Sequence, residues 1–160
     1  MLYIGIDLGT SAVKLLLVNA DGTIVNEVSK EYPVYFPNPG WSEQNPCDWT
    51  DNVFAGIDEL IKDFDKSQIA GIGCGGQMHG LVVLDEYDNV IRPAILWNDG
   101  RTSAEVEYLN NVIGKDVLSD NTANIAFAGF TAPKILWMKN NEPENFAKIS
   151  KIMLPKDYIN

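Results

Sequence analysis

Residues 2–18, LYIGIDLGTSAVKLLLV, decide the fold of this chain. An apolar run over residues 2–6 ends in Asp7, passes through Gly9, Thr10 and Ser11, and resumes over residues 13–18. Short apolar runs separated by glycine and small polar residues are typical of strands joined by a tight turn. We therefore predict a β-strand, a glycine turn and a second β-strand at the start of the chain.

The turn itself carries groups that suit phosphate chemistry. A carboxylate at the end of a buried strand is costly to desolvate unless a cation or several donors meet it. Asp7 is followed by Gly9, Thr10 and Ser11, whose backbone amides and hydroxyls can surround an anion. The combination predicts a metal-bridged phosphate site. The alternative is a hairpin in which Asp7 bonds only to its own turn, since Asp and Gly are common turn residues.

Composition narrows the class of protein. The chain has 160 residues, of which 46% are hydrophobic and 21% charged, so it can bury a real core. Its formal net charge of -10 argues against binding to nucleic acid or to an anionic membrane. No apolar segment approaches the length of a membrane span, and no basic leader precedes an apolar core. Cys47 and Cys74 lack metal-ligand spacing, which favours free thiols in a reducing compartment, the cytoplasm.

The pattern of elements predicts an α/β fold. Asp21-Gly22 is a hairpin signal before a third strand over residues 24–28, and the proline-rich residues 32–46 predict an extended surface loop. Asn45-Pro46 should begin an amphipathic helix that leads to a buried parallel strand over residues 69–74. Further predictions are a hairpin over 81–84 and 90–91, strands at 95–97 and 152–154, and helices over 102–113, 133–138 and 143–149, the first of them ended by Gly114.

Glycines surround a second cluster, Gly76-Gln77-Met78-His79-Gly80, at the end of the predicted strand. Side chains at the carboxyl ends of α/β strands commonly face a ligand crevice. The alternative is a turn histidine beside a methionine that fills the core. Residues 71–76 also match the dinucleotide fingerprint G-x-G-x-x-G, but a strand-like run follows instead of a helix, so we reject that interpretation.

A third cluster follows the predicted strand at residues 95–97. Asn98, Asp99 and Arg101 can together bind several hydroxyls, and Trp97 offers an apolar wall to a sugar ring. The alternative is local: Asn98 or Asp99 would cap the next helix, and Arg101 would pair with Glu105.

The ordered motifs resemble the N-terminal part of the FGGY family of carbohydrate kinases over nearly the whole chain. Residues 3–11 alone are similar to the first phosphate motif of the actin, Hsp70 and sugar kinase superfamily. The Gly-Gln-Met-His-Gly form of residues 76–80 resembles the branch of the family that phosphorylates D-xylulose. The motifs that carry the resemblance are residues 4–11, 40–44, 76–80, 93–101, 129–134 and 154–158.

The resemblance implies both a fold and an activity. The fold would be ribonuclease H-like α/β, with a mixed sheet, antiparallel N-terminal strands and flanking helices. The activity would be ATP-dependent phosphorylation of D-xylulose at its 5-hydroxyl, with ATP and Mg²⁺ required. The partners would be this sugar and ATP, without nucleic acid or membrane.

The resemblance also assigns roles to individual residues. Gly9, Thr10 and Ser11 would meet the ATP phosphates, Asp7 would help to hold Mg²⁺, and Lys14 would add positive charge. Contacts with the sugar would come from Met78 and His79, with Gln77, Trp97, Asp99 and Arg101 nearby.

Two components of the family's active site are expected outside this chain. The aspartate that serves as catalytic base and most of the adenosine pocket would lie beyond Asn160. Residues 1–160 would then be an incomplete first domain and inactive alone. The sequence leaves three alternatives open: a kinase for another pentulose or polyol, another phosphotransferase of the superfamily, and a non-catalytic module that self-associates, for instance as a homodimer.

Overall fold

The computed structural model describes residues 1–160. The chain forms two compact units, one of Met1–Val34, Asn45–Gln77 and Pro155–Asn160, the other of Tyr35–Gln44 and Met78–Leu154. The strands are β1 (Leu2–Leu8), β2 (Ala12–Asn19), β3 (Ile24–Glu31), β4 (Glu43–Gln44), β5 (Ile69–Gly76), β6 (Val82–Leu84), β7 (Ala94–Ile95) and β8 (Lys151–Met153). The α-helices are α1 (Pro46–Leu60), α2 (Ser103–Glu107), α3 (Lys115–Thr122), α4 (Thr131–Asn141), α5 (Pro143–Phe146) and α6 (Pro155–Ile159).

The first unit is built on a four-stranded sheet in the order β3-β2-β1-β5. β2 pairs antiparallel with β1 and with β3, whereas β5 runs parallel to β1 and is reached through α1. The predicted mixed sheet with antiparallel N-terminal strands and flanking helices is confirmed.

One face of this sheet forms the core of the first unit. Alternation along the strands buries every second side chain, as expected for a sheet covered on one face. α1 packs on this face, and a Cβ on its Gly56 would lie only 2.5 Å from Leu15 Cδ1, so glycine lets the helix approach closely. The predicted start of α1 is also confirmed, because Asn45 Oδ1 accepts the N–H of Cys47 and Pro46 is the first helical residue. The buried side chains of β1 and β2 on this face are Leu2, Ile4, Ile6, Leu8, Val13, Leu15 and Leu17.

The structure corrects the prediction that β5 is buried. Ile72 is 61% exposed, and Gly73 and Gly75 are exposed as well. β5 lies at the edge of the sheet, and α1 packs on β2 and β3 rather than on β5. The apolar sequence of this strand therefore correctly indicated a parallel strand but not its burial.

The fingerprint-like residues 71–76 lie within β5, and no helix follows them. A dinucleotide site of that type needs a helix N-terminus directed at the pyrophosphate. The rejection of that interpretation agrees with the structure.

The second unit contains two short antiparallel sheets, β4 with β7 and β6 with β8. The predicted hairpin is present, since Leu84 bridges to Val90 and the N–H of Ile91 donates to Val83 O at 3.0 Å. α4 contributes two side chains, Trp137 and Met138, to the core of this unit. The buried core cluster consists of Leu81, Val83, Ile95, Trp137 and Met138.

The extended loop predicted over residues 32–46 is partly wrong. Its residues 43–44 form β4, and Ser42, Glu43 and Gln44 are buried. Proline prevents a long ladder here, but a two-residue strand needs only the bonds that β7 supplies.

The helix predicted over residues 102–113 also differs. The α-helical part ends at Glu107, a π-helix spans Tyr108–Gly114, and α3 follows directly. The φ of Gly114 is +103°, which interrupts the helical path without ending the helical region. α3 was not predicted, because its polar sequence has no buried side chain.

The remaining elements are close to prediction. α4 and β8 match the predicted helix and strand within a few residues, α5 is shorter than predicted, and the last residues form α6. None of the helices has the length and apolar character that crossing a membrane requires.

Candidate functional site

The turn between β1 and β2 closes around Gly9. Its N–H donates to Ala12 O at 3.0 Å, and its carbonyl accepts the hydroxyl of Tyr32 at 2.6 Å and Nε2 of Gln77 at 3.4 Å. A Cβ on Gly9 would lie 2.8 Å from Ala12 O, a backbone atom that cannot move aside. Both backbone groups of Gly9 thus serve the turn, while Ser11 is exposed.

Tyr32 supports this turn from the end of β3. The side chain of Tyr32 is buried, and its hydroxyl donates the shorter of the two hydrogen bonds to Gly9 O. Burial, and secondarily the negative charge of Asp7, raises the pKa of Tyr32 well above its ordinary value. The phenol therefore remains a donor to the turn across the neutral pH range.

Asp7 and Lys14 are paired across β1 and β2, so their side chains lie on the same face of the sheet. Both residues are exposed. Lys14 Nζ lies 3.2 Å from Glu27 Oε2, and both of these side chains are more than half exposed. Exposed ion pairs contribute little stability, so Lys14 can exchange Glu27 for an anionic ligand at small cost.

Residues 1–160 contain no group of three His, Cys, Asp or Glu side chains that could hold a metal ion. Mg²⁺ is usually held differently, by one or two carboxylates together with waters and the phosphates of a substrate. Asp7, exposed at the end of β1 beside the turn, has the chemistry of such a single carboxylate ligand. The residues therefore fit Mg²⁺ that arrives with a nucleotide but not a metal held by protein alone.

In the second unit, Met78 and His79 begin the segment that leads to β6. Met78 is 48% exposed, and His79 is half-buried. The φ of His79 is +65°, in the left-handed region that non-glycine residues seldom adopt. Its imidazole stacks on the ring of Phe130, with the centroids 4.6 Å apart and the planes 16° apart. The histidine is therefore fixed in both backbone and ring orientation.

The carbonyl of His79 accepts two hydrogen bonds from α4. Lys134 Nζ donates to it at 3.1 Å and Thr131 Oγ1 at 3.2 Å. The side chain of Lys134 is fully buried, and this burial lowers its pKa to about 8, opposed by the negative charge of Asp99. Sequence reasoning did not select Lys134 as a site residue; it was only part of the motif over residues 129–134. A lysine among the apolar residues that begin α4 was the available signal.

Asp99 and Arg101 lie together, but they are enclosed. Asp99 Oδ2 accepts the N–H of Ser42 at 2.6 Å and lies 2.7 Å from Arg101 Nη2, and Oδ1 accepts both N–H and Nε–H of Arg101 at 2.9 Å. Their side chains are only 0% and 1% exposed. Within this chain the two groups bind each other rather than face an open ligand surface.

The local alternative for these residues is wrong. Thr102 precedes α2 without a side-chain capping bond, so neither Asn98 nor Asp99 caps the helix. Arg101 Nη2 instead lies 2.7 Å from Glu43 Oε1, and Glu105 accepts a bond from Asn140.

The ion pair extends into a larger buried network. Arg92 contacts Glu43 as well, and its Nη1 lies 3.0 Å from Glu142 Oε1. The guanidinium of Arg101 also faces the rings of Trp41 and Trp137. Sequence reasoning missed Glu43 and Arg92 as partners, because they lie far from Arg101 along the chain.

Trp97 lies at the surface of the second unit, and its predicted role as an apolar wall to a sugar stays a prediction. Its side chain is 48% exposed, and a Cβ on Gly129 would lie 2.7 Å from its carbonyl oxygen. Gln77 belongs instead to the first unit, where it bonds to the Gly9 turn. The first unit thus holds Asp7, Gly9, Thr10, Ser11, Lys14 and Gln77, and the second holds Met78, His79, Trp97, Asp99 and Arg101.

Comparison with known proteins gives a consistent result. Residues 2–160 match the model of the N-terminal domain of the FGGY family of carbohydrate kinases. A xylulose kinase of Bacillus subtilis is 49% identical over 158 residues, which are 98% of this chain and 32% of that protein. The chain spans about a third of the length of the curated relatives it matches.

Solved structures show the same similarity. The xylulose kinase of Rhodospirillum rubrum matches 100% of this chain and 33% of its own, with a TM-score of 0.94 and 31% identity. A gluconate kinase of Lactobacillus acidophilus matches 99% of this chain and 32% of its own, with a TM-score of 0.92 and 31% identity. Kinases named for different substrates therefore share this fold.

Proposed function

Because the chain belongs to the FGGY family of carbohydrate kinases, we propose that the protein containing it transfers the γ-phosphoryl group of ATP to the 5-hydroxyl of D-xylulose, giving D-xylulose 5-phosphate. Residues 1–160 would supply the N-terminal part of its first domain. The sugar is inferred from curated relatives that are xylulose kinases at 40–49% identity.

The observation that carries the proposal is the conformation of the Met78-His79 segment. An exposed thioether lies next to an imidazole that stacking and a left-handed backbone hold in one orientation. A neutral imidazole both donates and accepts hydrogen bonds, as a sugar hydroxyl does. This pair can therefore recognise a hydroxyl beside an apolar carbon–hydrogen face.

The other sugar-site candidates divide into two roles. Trp97, which is exposed, would pack against the sugar. Asp99 and Arg101 are enclosed by each other and by Glu43, so we assign them to holding the loop over residues 97–101 in place.

At the first unit, Thr10 and Ser11 would bind the phosphates of ATP, and Lys14 would exchange Glu27 for a phosphate oxygen. Gly9 would permit the turn, because its amide already serves Ala12. Asp7 would be a carboxylate ligand of the nucleotide's Mg²⁺, which neutralises charge on the transferring phosphoryl group when bound.

Transfer also needs a base that takes the proton of the 5-hydroxyl. In the second unit, Asp99 is committed to Arg101 and Ser42, so it is a poor base. Because residues 1–160 span about a third of the length of the curated relatives, we propose that the base lies elsewhere in the full-length protein and that these residues alone do not phosphorylate D-xylulose.

Within the cell, we place this activity in the cytoplasm, where the free thiols of Cys47 and Cys74 would stay reduced. The phosphorylated ketopentose would enter the pentose phosphate pathway.

The test is ADP release by the full-length gene product with D-xylulose, D-ribulose, glycerol and D-gluconate as separate acceptors. We expect the highest kcat/KM for D-xylulose and a product that carries phosphate on carbon 5. Absence of phosphorylation, or preference for glycerol or gluconate, would refute the proposal.

His79→Asn supplies the variant for this assay. Asparagine tolerates a left-handed backbone but lacks the imidazole, so kcat/KM for D-xylulose should fall about tenfold or more through loss of a hydrogen bond to the substrate. Asp88→Asn is the matched control, because Asp88 has the same φ of +65° in an exposed turn. The control should keep wild-type kinetics.

A further inference from the structure

We propose that Lys134 is a positioning residue for sugar binding, which acts by joining the backbone of His79 to the start of α4. This inference rests on the proposed function only in its kinetic consequence. The structural part is that one buried ammonium group holds the segment at His79, whose backbone conformation is unfavourable, in place.

Three backbone carbonyl oxygens accept hydrogen bonds from the ammonium group of Lys134. Lys134 Nζ donates to Gly129 O at 2.5 Å, to His79 O at 3.1 Å and to Phe130 O at 3.2 Å. A lysine ammonium has three donors, so each of its N–H groups has one acceptor. The group is thus fully satisfied by backbone alone, without a carboxylate partner.

These acceptors come from two separate stretches of chain. His79 lies in the segment before β6, whereas Gly129 and Phe130 lie directly before α4. The ammonium therefore connects two segments that no regular secondary structure pairs. Thr131 adds a second bond to the His79 carbonyl, but it satisfies no acceptor on residues 129–130.

The hydrogen bonds of Lys134 fix the position of the His79 imidazole as well as the His79 backbone. Phe130, whose carbonyl binds Lys134, is also the ring on which His79 stacks. Lys134 thus holds the carbonyls of both members of the stacked pair. Its loss would release the His79 backbone and the ring beneath the imidazole together.

A buried lysine is not explained by packing. Burying an ammonium carries a desolvation cost that an aliphatic side chain of similar length would avoid. That cost appears in the pKa of Lys134, which burial lowers to about 8, with Asp99 opposing the shift and Arg101 adding to it. The amine is still mainly charged at neutral pH, so all three donors are present when the sugar would bind.

Lys134→Met tests the inference, because methionine has similar length and no donor. Lys139→Met is the matched control, since Lys139 is on the same helix but exposed. Both variants are made in the full-length gene product. We measure hydrogen exchange of the peptide covering residues 78–81, and KM for D-xylulose and for ATP.

For Lys134→Met we expect about tenfold faster exchange at residues 78–81 and about a tenfold higher KM for D-xylulose, as loss of a charged hydrogen bond predicts. KM for ATP should change less than about twofold. Exchange and sugar KM equal to those of Lys139→Met would overturn the inference.

Thr131→Val keeps the inference testable if Lys134→Met does not fold. It removes only one of two donors to His79 O, so it should raise exchange and sugar KM in the same direction by about twofold to fivefold. No change in either quantity would count against the inference. A wild-type protein that fails to phosphorylate D-xylulose refutes the proposed function instead, while the exchange measurement still decides the role of Lys134.

Discussion

The guanidinium carbon of Arg101 lies 3.7 Å from the ring centroid of Trp41. The ring centroid of Trp137 lies 4.9 Å from the same guanidinium carbon. A carboxylate oxygen of Asp99 and one of Glu43 each lie 2.7 Å from Arg101 Nη2. Two aromatic rings and two carboxylates therefore enclose one positive charge. This arrangement links Trp41 and Glu43 on one stretch of the second unit to the loop over residues 97–101.

Arg101→Met should destabilise the protein by about 3 kcal/mol or more, because it leaves Asp99 buried without its cation and leaves Glu43 with Arg92 alone. Denaturant unfolding of the full-length gene product measures the change. Lys30→Met is the control, since Lys30 pairs with the exposed Glu59, and such pairs contribute about 1 kcal/mol or less. Equal losses in the two variants would contradict the enclosure of Arg101.

Gly9→Ala should lower stability by about 1 to 3 kcal/mol, because its Cβ would meet Ala12 O at 2.8 Å and force the turn to shift. We also expect a higher KM for ATP, since Thr10 and Ser11 follow directly. Gly5→Ala is the control, because Gly5 lies in β1 just before the turn and a Cβ there would meet nothing within 4 Å. If both variants behave alike, the tight turn does not explain the glycine.

Tyr32→Phe removes the 2.6 Å bond to Gly9 O and should cost about 1 kcal/mol. The pH dependence gives a second readout. Because burial raises the pKa of Tyr32 in the folded protein, above about pH 10 only the unfolded state loses this proton, and stability falls as pH rises. The fall should be smaller in Tyr32→Phe. Tyr87→Phe, at an exposed position, should leave the wild-type profile unchanged.

Lys134 should produce the opposite trend at lower pH. Its pKa is lowered from 10.5 to about 8, so between these values the unfolded state binds more protons, and stability rises with pH. Unfolding free energies at pH 7.5 and 9.5 should therefore differ less in Lys134→Met than in Lys139→Met. Burial is the main cause of the lowered pKa of Lys134; the charge of Asp99 opposes the lowering and that of Arg101 adds to it. An identical pH dependence in both variants would contradict the prediction.

The sequence predicted the elements whose signals are local. Strands β1 and β2 follow from apolar runs separated by a glycine turn, and α1 follows from Asn45-Pro46 and its apolar spacing. β4 was not predicted, because a two-residue strand depends on a partner far along the chain, here β7. The exposure of β5 was missed because apolar content reports what a strand can bury rather than what covers it.

For the candidate site, the limit was again long-range contact. Residue types in the segment over 96–101 suggested a polar hydroxyl-binding surface. Ser42 and Glu43, at the start of β4 and far away along the chain, bond to this segment and enclose it. Lys134 was not selected because a lysine in a helix is normally solvated, and only the fold brings three carbonyls around it.

The left-handed backbone of His79 constrains any attempt to redesign sugar choice by directed evolution. At a φ of +65°, β-branched and bulky replacements carry a strain that asparagine, aspartate and glycine largely avoid. In a saturation library at position 79, most clones would therefore carry this strain, at about 1 to 2 kcal/mol each. Diversity is better introduced at Met78, which is half exposed and has no such backbone restriction.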